Sequence, residues 1–97
     1  MTNLEAFKTK MLDRNNKIMN DDEYRGFLES QSIDPNDVFR TDTNTAIMLA
    51  KAELLESIVA NPARWNSYTQ GKIREDLKPD LILQEAKSIR RRFTVIS

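Results

Sequence analysis

The side chains in this sequence that could do chemistry are carboxylates, amines and guanidinium groups, because the 97 residues include neither His nor Cys. His is the commonest metal ligand and titrates most readily near neutral pH, whereas Cys provides disulfides and thiolate ligands for zinc. Their absence excludes a disulfide framework, thiolate zinc sites and much of acid–base catalysis. We therefore expect a protein that is not an enzyme and that holds no metal or cofactor.

Two groups of acids come nearest to a metal or catalytic pattern. Residues 21–23, Asp-Asp-Glu, have the composition of a cation site but lack the alternating acids, glycine and distal glutamate of an EF-hand loop. They follow Asn20, a residue that favours helix N-caps, so they fit the acidic first turn of a helix. Glu53 and Glu56 lie one turn apart on a face that should be exposed, with no evident pocket.

Lys51 interrupts an apolar pattern in the stretch 44–60, which is predicted to be a helix. At about 100° per residue it lies near the centre of an apolar arc formed by Ile47, Met48, Ala52, Leu54, Leu55, Ile58 and Val59. Lys51 could extend to water at the edge of this face or pair with an acid such as Glu85 on the last helix. It could instead meet an acid on another subunit. A catalytic amine would need a pocket and chemical partners that the sequence does not indicate.

Three consecutive arginines, residues 90–92, form the strongest basic feature. Consecutive helical residues point about 100° apart, so at most one or two of them could share a phosphate-facing surface with Lys87. A solvated helix end, a contact with a subunit or partner, and nucleic-acid binding are the alternatives, of which we favour the first.

The charges are balanced overall but unevenly distributed. Residues 1–40 carry eight acids and six bases, residues 41–61 three acids and one base, and residues 62–97 four acids and eight bases. A total of zero argues against a protein that coats nucleic acid or an anionic membrane. The −4/+4 division suits contacts between copies, or pairing within one chain. Without an apolar leader or a run of about 18 apolar residues, we expect no membrane contact and a cytoplasmic location.

Helix start signals and apolar spacing predict one all-α domain, residues 1–97, built around a long central helix. Thr2 with Glu5 forms a capping box, and Asp34 followed by Pro35 is a further N-terminal signal. The predicted helices cover about 3–12, 21–31, 35–39, 44–60 and 79–93. An irregular loop is expected over 62–78, in which Trp65 and Tyr68 either anchor an interface or fold back over the core. Residues 94–97 should fray unless they dock.

This order of elements resembles the small helical head-tail connector (adaptor) proteins of tailed bacteriophages and prophages, particularly those of gut Bacteroidetes. In that group a long A-x-A-x-L-L helix is followed by a break at a proline, a polar loop and a closing helix with A-x-x-I. The matching positions here are Ala50, Ala52, Leu54, Leu55, Asn61, Pro62, Ala86, Ile89 and Phe93.

The resemblance implies a structural protein that assembles as a homo-oligomeric ring beneath the portal and contacts portal or tail proteins. It would be made in the bacterial cytoplasm and incorporated into the virion. A head-to-tail ring uses two different surfaces of each subunit. The residues expected at such interfaces are Lys51, Trp65, Tyr68, Arg90, Arg91, Arg92, Phe93, Val95 and Ile96. A small interaction or regulatory module is the alternative, followed by nucleic-acid binding through the basic last third.

Overall fold

Five α-helices form the structure, a computed structural model that describes residues 1–13, 16, 18–72 and 78–93. They are α1 (Asn3–Lys10), α2 (Asp21–Ser30), α3 (Asn44–Ala60), α4 (Pro62–Lys72) and α5 (Pro79–Phe93). A short 3-10 helix, Thr41–Thr43, leads into α3. The prediction of a small all-α bundle around a long central helix is confirmed, and the bounds of α3 and α5 are those predicted.

The central helix α3 contacts each of the other four α-helices. Its buried residues are Ile47, Ala50, Ala52, Leu54, Leu55 and Ile58. At about 100° per residue these positions cover roughly 200° of the helix surface, a broader arc than a helix packed on one side buries. None of the helices in the described part of the chain combines the length and apolar character needed to cross a membrane.

The irregular loop predicted over 62–78 was wrong for its first part, because residues 62–72 form α4. The backbone of Asn61, the residue that follows α3, is extended, with φ −121° and ψ 113°. The Asn61 Oδ1 atom accepts hydrogen bonds from the backbone N–H groups of Ala63 and Arg64, at 3.0 and 3.4 Å. Asn61 is thus the N-cap of α4, and Pro62 occupies the first helical position, where its missing N–H costs nothing. Residues 73–77 lie outside the described residues.

The helix predicted over 35–39 was also wrong. The Asp34 carboxylate accepts a hydrogen bond of 2.9 Å from the backbone N–H of Asn36, and this bond closes a turn. The chain then runs antiparallel to the N-terminus, where the N–H of Phe39 donates to Met1 O at 2.8 Å. Val38, within the predicted helix, is 62 % exposed and lies outside the core. Pairing with residues 1–3 replaces a single helical turn, whose nucleation is unfavourable.

Both N-terminal helices end in the same hydrogen-bonded motif. After α1, the N–H of Asp13 donates to Lys8 O at 2.9 Å, and after α2 the N–H of Ile33 donates to Leu28 O at 3.0 Å. These are Schellman motifs, which place one residue in the left-handed region. That residue is Leu12 in α1 (φ 57°) and Ser32 in α2 (φ 60°), rather than the usual glycine. The helices consequently stop at 10 and 30, slightly before the predicted ends at 12 and 31.

Candidate interaction surface

Two ion pairs fix the arrangement of α3 and α5. Lys51 Nζ lies 3.3 Å from Glu85 Oε1, and Arg90 Nε donates to Glu56 Oε2 at 3.2 Å. Since the partner of each α3 residue lies 34 positions later in the chain, the two helices run parallel. The C-terminal end of α5 therefore lies beside the C-terminal end of α3.

Lys51 is accounted for within the chain. Its side chain is 17 % exposed and reaches an acid on α5 at the border of the apolar face. The expectation that Lys51 pairs with an acid such as Glu85 is thereby confirmed. Its ammonium group needs no acid from another subunit to have a charged partner.

The three arginines of α5 differ in their surroundings. Arg90 contacts Glu56 through both Nε and Nη2, in the two-point geometry that favours guanidinium–carboxylate recognition. This hydrogen bonding raises the pKa of Arg90 above its already high usual value. Arg91 and Arg92 are exposed. They have no ion-pair partner within the described residues.

The aromatic residues expected in a loop lie on α4. Trp65 and Tyr68 are one turn apart and stack, with ring centroids 6.1 Å apart and an angle of 28° between the planes. Tyr68 is 5 % exposed and belongs to the core, and half-buried Trp65 packs against it. This favours the alternative in which the pair covers the protein's own core. Phe93 is likewise half-buried against the core, and Val95 and Ile96 lie outside the described residues.

A basic surface is left on the outer side of α5. It comprises Lys87, Arg91 and Arg92, which are all exposed. On a helix, residues 87 and 91 are neighbours on one face, and Arg92 lies about 100° round the helix from Arg91, at the side of that face. Within the part of the chain that the structure describes, none of the three is in an ion pair. We call these residues the basic face.

Three exposed acids lie in the connection before α3. They are Asp34, Asp37 and Asp42, and none has a basic partner among the described residues. Asn3 holds this connection in place, since its side-chain amide donates to Asp34 O at 2.9 Å and its backbone N–H to Asp37 O at 2.9 Å. We call these three residues the acidic segment.

The two charged surfaces lie beside different parts of α3. The acidic segment ends two residues before the first residue of that helix, Asn44. The basic face lies beside the C-terminal half of α3, because the offset of 34 residues between the paired positions places Lys87 level with Glu53 and Arg91 level with Ser57. At about 1.5 Å per residue these levels are about 14 and 20 Å from Asn44 along the helix. The unequal charge distribution seen in the sequence is therefore also a spatial separation.

A buried polar cluster was not anticipated from the sequence. Asp13, 3 % exposed, accepts hydrogen bonds from the Tyr24 hydroxyl at 2.6 Å and from the backbone N–H groups of Ile18 and Met19 at 3.1 and 3.3 Å. Burial and the Asp13 carboxylate raise the pKa of Tyr24, because both favour its neutral form. No ordinary sequence signal pairs an aspartate in a polar loop with a helical tyrosine. The cluster connects Asp13, at the end of α1, to Ile18 and Met19 before α2 and to Tyr24 within α2.

The remaining chemistry of the described residues is sparse. They contain no group of three or more acids placed to hold a metal ion. The acids of the first turn of α2 serve the fold: the pKa of Asp21 is lowered by hydrogen bonds from Lys8 and Asn16, and Glu23 lies 3.6 Å from Arg64. What the geometry offers is a pair of complementary charged surfaces. Comparison with protein-family models, curated proteins and solved structures finds no match to this chain.

Proposed function

We propose that this chain is a non-enzymatic structural subunit of a phage or prophage head-tail connector, which assembles as a ring at the portal vertex. The observation that carries the proposal is the separation of the two charged surfaces, with the acidic segment before the N-terminus of α3 and the basic face beside its C-terminal half. A ring built head to tail needs two different, mutually complementary surfaces on each subunit. Portal or tail proteins would be the further partners.

The helix order agrees with the resemblance on which this proposal also rests. Helix α3 carries Ala50, Ala52, Leu54 and Leu55 as buried residues. The break at Asn61 and Pro62 follows directly, and α5 closes the fold. The departure from the expected pattern is α4, which takes the place of the first part of the polar loop.

Nucleic-acid binding has weaker support than assembly. Of the three arginines, Arg90 is already neutralised by Glu56, so phosphate binding would depend on the three residues of the basic face. A small interaction or regulatory module would use the same surfaces but would not form a ring. The two proposals differ in one observable: a connector subunit forms a ring on a portal, whereas an interaction module does not.

The test begins with the genes that flank this one, among which we expect portal, capsid and tail genes. The portal protein encoded there should be purified, mixed with this chain and imaged by electron microscopy. We expect an added ring of density on the portal with the rotational symmetry of the portal or a simple fraction of it. Flanking genes unrelated to virion assembly, or bare portals at saturating concentrations of this chain, would contradict the proposal.

A further inference from the structure

Among the described residues, no helix packs against the outer side of α5. Helix α5 packs on α3 through Ile82, Ala86 and Ile89. The opposite side carries exposed residues throughout, including Leu81, which is 51 % exposed, at its start and the basic face at its end. Since Glu85 and Arg90 are engaged with α3, the unpaired charge on α5 is uniformly positive in its C-terminal half.

We propose that the basic face of one subunit docks on the acidic segment of a second copy of this chain. The contact pairs Lys87, Arg91 and Arg92 with Asp34, Asp37 and Asp42. It is a head-to-tail contact, because each copy binds one neighbour through its basic face and another neighbour through its acidic segment. The inference rests on the proposed function, since it names the contact between subunits of the ring.

Charge complementarity identifies the occupant as a second copy. The basic face has three exposed bases and the acidic segment three exposed acids, with only Arg40 as a cation within the segment. Within one molecule the two surfaces do not pair, since Lys87 and Arg91 lie level with Glu53 and Ser57, about 14 and 20 Å along α3 from Asn44. The net charge of zero removes the long-range repulsion that keeps highly charged copies apart.

Both surfaces are built on an ordered backbone, which favours a specific contact. The acidic segment is held by backbone hydrogen bonds from Asn3 and Phe39 and by the Asp34 turn, so its side chains start from fixed positions. The basic residues lie on a regular helix. Two pre-ordered surfaces lose less conformational entropy on association than two flexible ones. Association should weaken with salt, because the charges are exposed.

The experiment is a charge exchange measured by sedimentation equilibrium of the purified full chain at low ionic strength. Arg91→Glu alone and Asp37→Lys alone should each raise the dissociation constant for self-association about tenfold or more, because each places like charges opposite one another. An equimolar mixture of the two variants, or the chain carrying both changes, should regain association. Circular dichroism and thermal unfolding of each variant check that the fold is intact.

Matched controls carry the same charge change elsewhere. Lys78→Glu reverses a base at the opposite end of α5, and Glu29→Lys reverses an acid outside the acidic segment; both residues are exposed. We expect both controls to associate as the wild-type chain does. Weakening by the controls equal to that of Arg91→Glu, or no recovery on charge exchange, would overturn the inference.

Two other outcomes are decisive. A wild-type chain that stays monomeric to about 1 mM at low salt, where even weak specific contacts are detectable, overturns the inference. It leaves the proposed function standing if portals still acquire a ring. Conversely, recovery on charge exchange together with bare portals supports the contact and contradicts the connector. Binding of a labelled DNA duplex at about 0.15 M salt by the wild type but not by Arg91→Glu, without self-association, would overturn the inference in favour of nucleic acid.

Discussion

The ammonium group of Lys51 lies 3.3 Å from the carboxylate of Glu85, and the two partners are unequally exposed. The Lys51 side chain is 17 % exposed and that of Glu85 46 %. Water can therefore replace the lysine as a partner for the glutamate more readily than it can replace the glutamate for the lysine. Removing one partner should cost more when the remaining charge is the more buried one.

The first prediction follows from this asymmetry. Lys51→Met should change the free energy of unfolding by less than about 1 kcal/mol, because methionine keeps the apolar contacts and leaves a hydrated Glu85. Glu85→Gln should cost more, about 1 kcal/mol, because Lys51 keeps its charge and loses its carboxylate. Urea unfolding of both variants measures the difference. Equal losses of stability, or a larger loss for Lys51→Met, would show that the exposure of the two groups does not determine the cost of removing either partner.

The second prediction concerns the buried hydroxyl of Tyr24. Its 2.6 Å hydrogen bond to Asp13 is to a carboxylate that is 3 % exposed. Tyr24→Phe should destabilise the protein by about 1.5–3 kcal/mol, because a charged buried acceptor loses a donor. The ring packing against Phe7, with centroids 5.3 Å apart, would be kept. A loss below about 0.5 kcal/mol would mean that water replaces the hydroxyl.

The third prediction is the alkaline pH dependence of the same group. Burial and Asp13 raise the pKa of Tyr24 in the folded state above its usual value of 10.0. A group with a raised folded-state pKa contributes its full stability below the unfolded-state pKa and loses it as pH rises above that value. The wild-type free energy of unfolding should therefore fall towards that of Tyr24→Phe above pH 10.0. A difference that stays constant across this range would contradict the assignment.

The elements that the sequence predicts well are those with strong apolar periodicity. The bounds of α3 and α5 follow from repeated apolar residues together with Pro62 and Pro79 as limits. Helix α4 was missed because its only clear apolar positions are Trp65 and Tyr68. The Asn61-Pro62 pair, which matches the break expected from the resemblance, is the N-cap and first helical residue of α4. The same signal at 34–35 predicted a helix where none forms, so the local motif does not decide the outcome.

The candidate surface shows a similar limit. The Lys51–Glu85 pair could be named from the sequence because Lys51 interrupts the apolar arc of the central helix and Glu85 is an acid on the last predicted helix. The Arg90–Glu56 pair could not, since it depends on the parallel register of α3 and α5. The separation of the acidic segment from the basic face also depends on that register. The position of residues 34–42 beside the start of α3 depends on the hydrogen bond from Asn3 to Asp34, which the sequence does not predict.

The fourth prediction tests the left-handed residue that ends α1. Leu12 has φ 57° and is 78 % exposed, so its side chain gains little burial in return for an unfavourable backbone conformation. Leu12→Gly should stabilise the protein by about 1 kcal/mol, since glycine adopts this conformation without steric cost. Leu12→Ala is the matched control and should not stabilise, because alanine keeps the Cβ atom. A chain destabilised by both changes would show that the leucine side chain makes a contact of its own.

The fifth prediction concerns Gly26, which lies on the exposed side of α2. Apart from its chain neighbours and the backbone of its own helix, no described atom lies within 4 Å of the position that a Cβ would occupy. Close packing against another described helix is therefore not the reason for this glycine. Gly26→Ala should raise the free energy of unfolding by about 0.5–1 kcal/mol, because alanine loses less backbone entropy on folding. The reverse change at an exposed position of α5, Gln84→Gly, should lower it by a similar amount. A Gly26→Ala chain that is less stable than the wild type would contradict the open space beside this helix.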